Sequence, residues 1–234
     1  MKPKLLNYFS RQEQLLWLLS VMTIGVSFFL FDGKDCLTLT ASLIGVTSLI
    51  FCAKGNPFGQ LLMILFSVLY GIISFRVAYY GEMTTYLGMT APMALFALIS
   101  WLKNPYEGNK SEVKVNRIGR GEYLFLSVLT LLVTVVFYFI LRYFGTANLL
   151  PSTLSVATSF AAVYLTFRRS PYYAIGYAAN DLILIVLWLL AAVQDPACLS
   201  VLACFAAFLA NDIYGFISWR GMEKRQSDRC TAAE

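Results

Sequence analysis

The chain has 234 residues, of which 59% are hydrophobic and 13% are charged, whereas soluble domains usually carry about 25% charged residues. A mean hydropathy of +0.67 likewise excludes an ordinary soluble globular protein. The net charge of +5 does not predict nucleic-acid binding, because the basic residues lie in the tails and in alternate loops, as in membrane proteins.

Apolar runs long enough to cross a bilayer, which takes about 20 residues as a helix, fill most of the sequence. The first run lacks the small-residue cleavage site of a signal peptide and is interpreted as a span. We therefore predict an all-α integral membrane protein with eight spans, at residues 14–31, 36–53, 58–80, 83–102, 123–144, 149–167, 172–193 and 197–219. A polar connection at 103–121 separates the fourth span from the fifth.

The basic residues alternate with these spans. Of 18 lysines and arginines, all but Lys34, Arg76 and Arg142 fall in the two tails or in the loops on the same side. Positive charge concentrates on the cytoplasmic side of membrane proteins, so we expect both termini in the cytoplasm. Arg76 and Arg142, at span ends, are expected to reach the membrane surface.

An internal repeat relates the third and fourth spans to the seventh and eighth. Each pair opens on a proline followed by an aromatic residue, contains a short acidic loop and closes on Ile-Ser-Trp. The opening residues are Pro57-Phe58 in the first copy and Pro171-Tyr172 in the second. The acidic loops are Gly81-Glu82 and Asp195-Pro196, and the closing motifs are residues 99–101 and 217–219. Both copies begin on the same side of the membrane, so the repeats are parallel.

The second and sixth spans complete two three-helix repeats, at 36–103 and 147–220. Residues 104–146 form a cytoplasmic loop and a linking helix, 1–35 a tail and an extra helix, and 221–234 a cytoplasmic tail. The predicted architecture is thus 3+1+3 helices plus one N-terminal helix. Pro92 in the fourth span is either a hinge or a packing kink.

Two Asn-Asp pairs lie inside apolar spans, Asn180-Asp181 in the seventh and Asn211-Asp212 in the eighth. A carboxylate at the bilayer centre costs roughly 2.5–3.5 kcal/mol on insertion scales and is tolerated when it faces a bundle interior or a wet cavity. The two pairs therefore predict one polar cavity inside the bundle.

Six residues are the candidate substrate-binding residues. Trp188 lies on the face of Asn180 and Asp181, and an indole beside an amide and a carboxylate suits a flat, polar heterocycle. The alternative is that the two polar residues only bond neighbouring helices and that Trp188 belongs to an interfacial aromatic belt. The other three candidates are Gln60, Asn211 and Tyr214.

Other residue types carry less information. Trp101 and Trp219, beside basic residues at span ends, are expected to be interfacial anchors. The five cysteines form no CxxC pair and the chain has no histidine, so we expect buried free thiols, no metal site and no cofactor.

Four motifs resemble the PnuC family of bacterial vitamin transporters, in order and over roughly residues 36–225. They are residues 54–59 (KGNPFG), residues 79–82 (YYGE), Asn180-Asp181, and residues 211–219 (NDIYGFISW). The resemblance implies an enlarged SWEET-like fold of parallel three-helix repeats that assembles as a homotrimer in the bacterial inner membrane.

The resemblance also implies a facilitator for nicotinamide riboside, with uptake driven by phosphorylation of the substrate inside the cell. Relatives carry thiamine, riboflavin or deoxynucleosides, and these compounds remain the alternative substrates for this chain. The chain departs from the nicotinamide-riboside members in having only Trp188 in the seventh span. Its amide-containing motif also lies in the second repeat rather than the first.

Functional classes other than a transporter fit the sequence less well. The absence of histidine excludes Ser-His chemistry, and the lone aspartates lack the tight motif of a metal-dependent lipid transferase. A non-transporting scaffold is disfavoured by the repeat, since duplicated halves commonly surround a central site. Facilitated diffusion by alternating access is the expected mechanism, with proton coupling through Asp181 and Asp212 as the lesser hypothesis.

Overall fold

The computed structural model describes residues 8–33, 35–76, 79–146 and 148–232. Within these residues, 8 helices are long and apolar enough to cross a membrane, which confirms the predicted number. They are α1 Arg11–Ser27, α2 Cys36–Ala53, α3 Pro57–Arg76, α4 Tyr80–Lys103, α5 Arg120–Tyr143, α6 Leu149–Phe167, α7 Tyr173–Ala192 and α8 Leu199–Ala232. A π-helical turn, Phe28–Asp32, prolongs α1, and an antiparallel hairpin of β1 Pro105–Tyr106 and β2 Asn109–Val113 follows α4.

Six of the helices form a closed ring. Going around it, α2, α3, α4, α6, α7 and α8 are neighbours, and α8 contacts α2 to close the ring. Helix α1 packs outside against α2 and α8, and α5 packs outside against α6. The first helix of each predicted repeat thus contacts the third helix of the other, as expected of two parallel repeats facing each other.

The two ends of the bundle differ in charge. The tail end is the one at which α1 begins and α8 leaves the bundle, and the far end is the opposite one. Arg76 and Arg142 are the basic residues at the far end of the described part of the chain, and Arg76 pairs with Asp35 at 3.6 Å. Lys34 and residues 1–7, which enter the predicted charge pattern, lie outside the described residues.

Equivalent hydrogen bonds join the two repeats at the tail end. The indole N–H of Trp101 donates to the Thr166 carbonyl of α6 (2.9 Å), and that of Trp219 donates to the Cys52 carbonyl of α2 (2.8 Å). The serine before each tryptophan also donates to a carbonyl, Ser100 to that of Phe167 and Ser218 to that of Ala53. Both indoles are fully buried, so the prediction of interfacial anchors is wrong: these side chains satisfy carbonyls at helix ends.

The connection between α4 and α5 crosses the tail end and contacts both repeats; we call residues 104–119 the strap. The turns after α2 and α6 are equivalent, because Gly55 and Arg169 both adopt left-handed backbone, with φ of 66° and 58°. The Gly55 carbonyl accepts from the Val113 N–H and the Arg169 carbonyl from the Asn116 N–H, both at 3.0 Å. Tyr8 also contacts the strap, because its hydroxyl donates to the Ser111 carbonyl at 3.3 Å. Burial raises the pKa of this hydroxyl.

Helix α8 continues to Ala232, so most of the predicted tail from residue 221 is helical. The extension is stabilised by the strap. Gln226 accepts from the Val115 N–H (2.8 Å) and donates to the Val113 carbonyl (3.1 Å). Met222 is buried, and Arg117 pairs with Glu223 at 2.9 Å.

The predicted acidic loop at Gly81-Glu82 is also wrong, since both residues lie in the first turn of α4. A Cβ at Gly81 would lie 2.8 Å from Cγ2 of Thr146, so only glycine allows this close contact with the turn before α6. Farther along α4, a π-helical turn at Tyr86–Thr90 precedes Pro92. Proline has no N–H to continue the regular hydrogen-bond ladder, so the structure shows a local widening of the helix there.

Candidate functional site

A small cavity lies between the repeats, near the middle of the ring. Its volume is about 20 Å³, room for about one water molecule. All six ring helices contribute to its lining: Leu49, Met63, Phe66, Tyr86, Thr90, Ser159, Tyr177, Asn180, Asp181, Phe205, Phe208 and Asp212. The cavity is therefore where the two repeats, and the polar residues of the membrane interior, converge.

Asn180 is held rigidly in this lining. Its amide oxygen accepts hydrogen bonds from Thr158 Oγ1 (3.1 Å) and Ser159 Oγ (3.0 Å), both on α6. These bonds fix the plane of the amide group, and the nitrogen is then the atom of Asn180 that can donate to a bound molecule. Asn180 is a positioned hydrogen-bond donor at the contact between α6 and α7.

The carboxyl groups of Asp181 and Asp212 lie within hydrogen-bonding reach of each other. Both residues are buried, with 4% of their surface exposed, and Asp181 Oδ2 has no hydrogen-bond partner. None of the ion pairs formed by the described residues includes either aspartate. The cavity thus offers acceptors and negative charge to a guest, with no basic side chain among its lining residues.

Aromatic side chains close the cavity on the side of the far end. Tyr70 lies 4.4 Å from Tyr86 and 5.5 Å from Phe66, measured between ring centroids. The indole N–H of Trp188 donates to the Tyr70 hydroxyl at 2.6 Å, and Tyr79 lies 5.3 Å from Trp188. This far-end aromatic cluster separates the cavity from the far surface.

A second aromatic stack closes the cavity on the side of the tail end. Tyr177 lines the cavity. Tyr173 lies one helical turn closer to the tail end, with 6.1 Å between the two ring centroids. Tyr173 lies 5.0 Å from Trp219, which in turn lies 5.3 Å from Trp101. The structure is therefore occluded, with ring-filled layers on both sides of the polar centre.

The six predicted site residues separate into three groups. Asn180 and Asp181 line the cavity. Trp188 is 1% exposed, which excludes an interfacial belt, but it lies in the far-end cluster rather than in the cavity wall. Gln60 is also outside the lining; it is buried and donates to Cys52 Sγ at 3.3 Å, with Oε1 unpartnered.

Asn211 and Tyr214 face away from the cavity, toward α1. Asn211 donates to Ser20 Oγ at 2.8 Å. Tyr214 donates to Glu13 Oε1 at 3.1 Å, and Glu13 also pairs with Lys54 at 3.2 Å. These two predicted residues therefore attach the extra helix to the ring, and the structure does not place them in the cavity.

Several lining residues were missed from sequence. Asp212 belongs to the second Asn-Asp pair but is not among the six candidates, and Tyr86 and Thr90, one turn apart on α4, carry no motif that marks them. Ser152, Ser155 and Ser159 lie at i, i+3 and i+7 on α6, a buried polar stripe that helical spacing would have revealed.

Fold and site together define a multi-pass membrane protein whose two parallel three-helix repeats enclose a polar cavity, an arrangement typical of small-molecule transporters. A family model described as "Nicotinamide mononucleotide transporter" matches residues 35–221. The chain belongs to this family, which confirms the resemblance noted in the sequence.

Relatives and a solved structure agree with this assignment. The "Nicotinamide riboside transporter PnuC" of Neisseria mucosa is 26% identical over 216 residues, covering 90% of this chain and 82% of that protein. The protein of the same name from Haemophilus influenzae is 21% identical and covers 91% of each chain. A structure titled "Crystal structure of the Vitamin B3 transporter PnuC" matches with a TM-score of 0.82 at 23% identity, over 93% of this chain and 94% of that chain, and shows the same fold.

Proposed function

We propose that this protein is a facilitator that carries nicotinamide riboside across the bacterial inner membrane. The observation that carries the proposal is the central cavity, in which a fixed amide and two carboxyl groups lie among aromatic rings. A pyridine ring fits between aromatic faces, its carboxamide matches Asn180, and ribose hydroxyls donate to carboxyl oxygens. The names of the two bacterial relatives support the same cargo.

The charge of the cavity favours the riboside over the mononucleotide named in the family description. A phosphate would come close to Asp181 and Asp212, and the lining contains no lysine or arginine to bind it. One ionised carboxylate at about 6 Å from a phosphate charge costs roughly 3 kcal/mol at an effective dielectric constant of about 20. The pyridinium ring of the riboside carries a positive charge, which the same carboxyl groups attract. Riboflavin and deoxynucleosides are uncharged, whereas thiamine is a cation and is the strongest alternative cargo.

The mechanism we propose is alternating access. Pockets for small molecules usually measure about 300–1,000 Å³, so a cavity of about 20 Å³ must expand before cargo enters. The repeats at 36–103 and 147–220 contact each other through α2–α8 and α4–α6, and rocking at these two contacts opens one end at a time. Phosphorylation of the cargo inside the cell then prevents its return.

Orientation and assembly complete the proposal. The basic tail end faces the cytoplasm according to the positive-inside rule, which puts both termini there. We expect a homotrimer, and mass measurement of the detergent-solubilised protein, corrected for bound detergent, tests this expectation.

The test of function is a binding panel on the purified protein, followed by tryptophan fluorescence. The panel contains nicotinamide riboside, its mononucleotide, thiamine, riboflavin and a deoxynucleoside. We expect the riboside to bind at micromolar concentration or tighter, the mononucleotide far more weakly, and Asn180→Ala to lose binding. Trp188→Phe identifies the source of the signal. Binding of no compound would refute the transporter and favour a scaffold.

Proton coupling through Asp181 and Asp212 is the second candidate mechanism, because two buried carboxyl groups that lie close together are more stable when one of them is protonated. Counterflow in liposomes distinguishes the two mechanisms. A facilitator exchanges labelled for unlabelled riboside at a rate that is unaffected by a pH gradient, whereas a coupled carrier accumulates the riboside in response to the gradient.

A further inference from the structure

Glu82 is a buried carboxylate that lies outside the cavity and has no role in the function proposed so far. It is 2% exposed, in the first turn of α4 at the far end. Its Oε1 accepts from Ser155 Oγ at 3.0 Å, whereas Oε2 has no hydrogen-bond partner. No ion pair among the described residues includes it. Burial of a charged carboxylate with a free oxygen and no cation beside it carries a desolvation cost, which a positive guest bound there would offset.

The surroundings of Glu82 are suited to an organic cation. Glu82 and Tyr86 are spaced at i and i+4 on one face of α4, and Tyr79 immediately precedes the helix. The carboxylate is near enough to the hydroxyl groups of Tyr70, Tyr79 and Tyr86 to interact with them electrostatically. Electron-rich ring faces attract cations, most strongly where water is excluded. Glu82 and the far-end aromatic cluster therefore combine a negative charge with rings.

A line of buried polar groups connects Glu82 with the central cavity. On α6 it continues from Ser155 to Ser159, which lines the cavity and donates to Asn180 at 3.0 Å. On α4 it continues to Tyr86 and Thr90, which also line the cavity. These two helices belong to different repeats and contact each other. A relative movement of the repeats would therefore separate the two sides of this polar line.

We propose that Glu82 is a second, far-end binding site for an organic cation, on the access route between α4 and α6. The inference rests on the proposed function: the pyridinium group of the cargo would be held at Glu82 between the far surface and the cavity. Its positive charge would be passed from Glu82 to Asp181 and Asp212, so that it is never left without a counter-charge inside the membrane.

The test compares Glu82→Gln with the unaltered protein in liposomes, using two cargoes of nearly the same shape. Nicotinamide riboside is a cation, and its reduced dihydropyridine form is neutral. We expect Glu82→Gln to raise the KM for the cation about tenfold, the effect of one charge pair at about 10 Å and an effective dielectric constant of about 20. The KM for the neutral form should change less than twofold. Glu82→Asp, which keeps the charge, should recover most of the loss.

Glu122→Gln is the matched control, because Glu122 pairs with Arg168 (2.9 Å) at the tail end, away from the route. If Glu82→Gln does not fold, Ser155→Ala removes the hydroxyl that positions Glu82 and should raise the KM for the cation alone by about two- to fivefold. Equal changes for both cargoes, or none, would overturn this inference and leave the proposed function intact. Failure of the unaltered protein to carry either cargo would overturn the proposed function, and this inference with it.

Discussion

Gly45 on α2 packs against two aromatic rings that line the cavity, and replacing it with alanine tests this packing. A Cβ at this position would overlap the ring of Phe208 and lie 2.9 Å from Cδ2 of Phe66. Both rings line the cavity. Ordinary carbon contacts require about 3.5–4.0 Å, so Gly45→Ala must push the rings toward the cavity or push α2 outward.

The magnitude follows from the room available. The cavity of about 20 Å³ cannot accept two displaced rings and also a ligand. Overpacking a well-filled core costs about 1–3 kcal/mol. If that cost falls on the cargo-bound state, affinity for nicotinamide riboside drops by about five- to 150-fold. If it falls on the fold, the midpoint of thermal unfolding drops by about 2–4 °C for each kcal/mol.

The assay measures both quantities on the same purified variant, riboside binding by fluorescence and thermal unfolding in detergent. Gly25→Ala is the control, because nothing lies within 4 Å of a Cβ at Gly25, and it should leave binding unchanged. Indistinguishable affinity and unfolding midpoints for the two variants would refute the packing described for α2, α3 and α8 around the cavity.

Three further predictions concern the tail end. Trp219→Phe removes the indole donor to the Cys52 carbonyl, which keeps the Gly55 N–H as its other donor, so the free energy of unfolding should fall by about 0.5–1.5 kcal/mol, measured as a lower unfolding midpoint. Glu13→Gln leaves the charge of Lys54, which is partly exposed, without its partner; it should lower the unfolding midpoint, and adding Lys54→Met should restore part of the loss. Gln226→Ala removes the hydrogen bonds that this side chain makes with the strap and leaves ion pairs such as Arg117–Glu223 in place. Amide exchange at residues 104–119 should therefore become faster while the membrane-spanning helices stay protected.

The number of spans and their order could be predicted because the membrane imposes strict rules on sequence. Every charge inside the hydrocarbon is costly and every spanning helix has a minimum length, so apolar runs and basic loops indicate the topology directly. The repeat could be predicted from its Ser-Trp closing motif, although the role assigned to Trp101 and Trp219 was wrong. Tryptophan beside a basic residue indicates an interface only if the side chain points outward, and sequence does not report that direction.

Local structure could not be predicted where a neighbour outside the local sequence decides it. Gly81 and Glu82 look like a loop, but contact with Thr146 and with Ser155 stabilises them as the first turn of a helix. The segment after residue 219 looks like a polar tail, but the strap gives it a surface on which to remain helical.

By itself, the sequence determined that polar residues converge within a helical membrane bundle, because an Asn-Asp pair in a span is tolerated only in the interior. Only the tertiary structure decided which member of each pair faces the cavity. Adjacent residues on a helix point about 100° apart, and the packing of α1 against α8 directs Asn211 outward to Ser20 and Asp212 inward. In α7, which has no such outer helix beside it, Asn180 and Asp181 both reach the cavity.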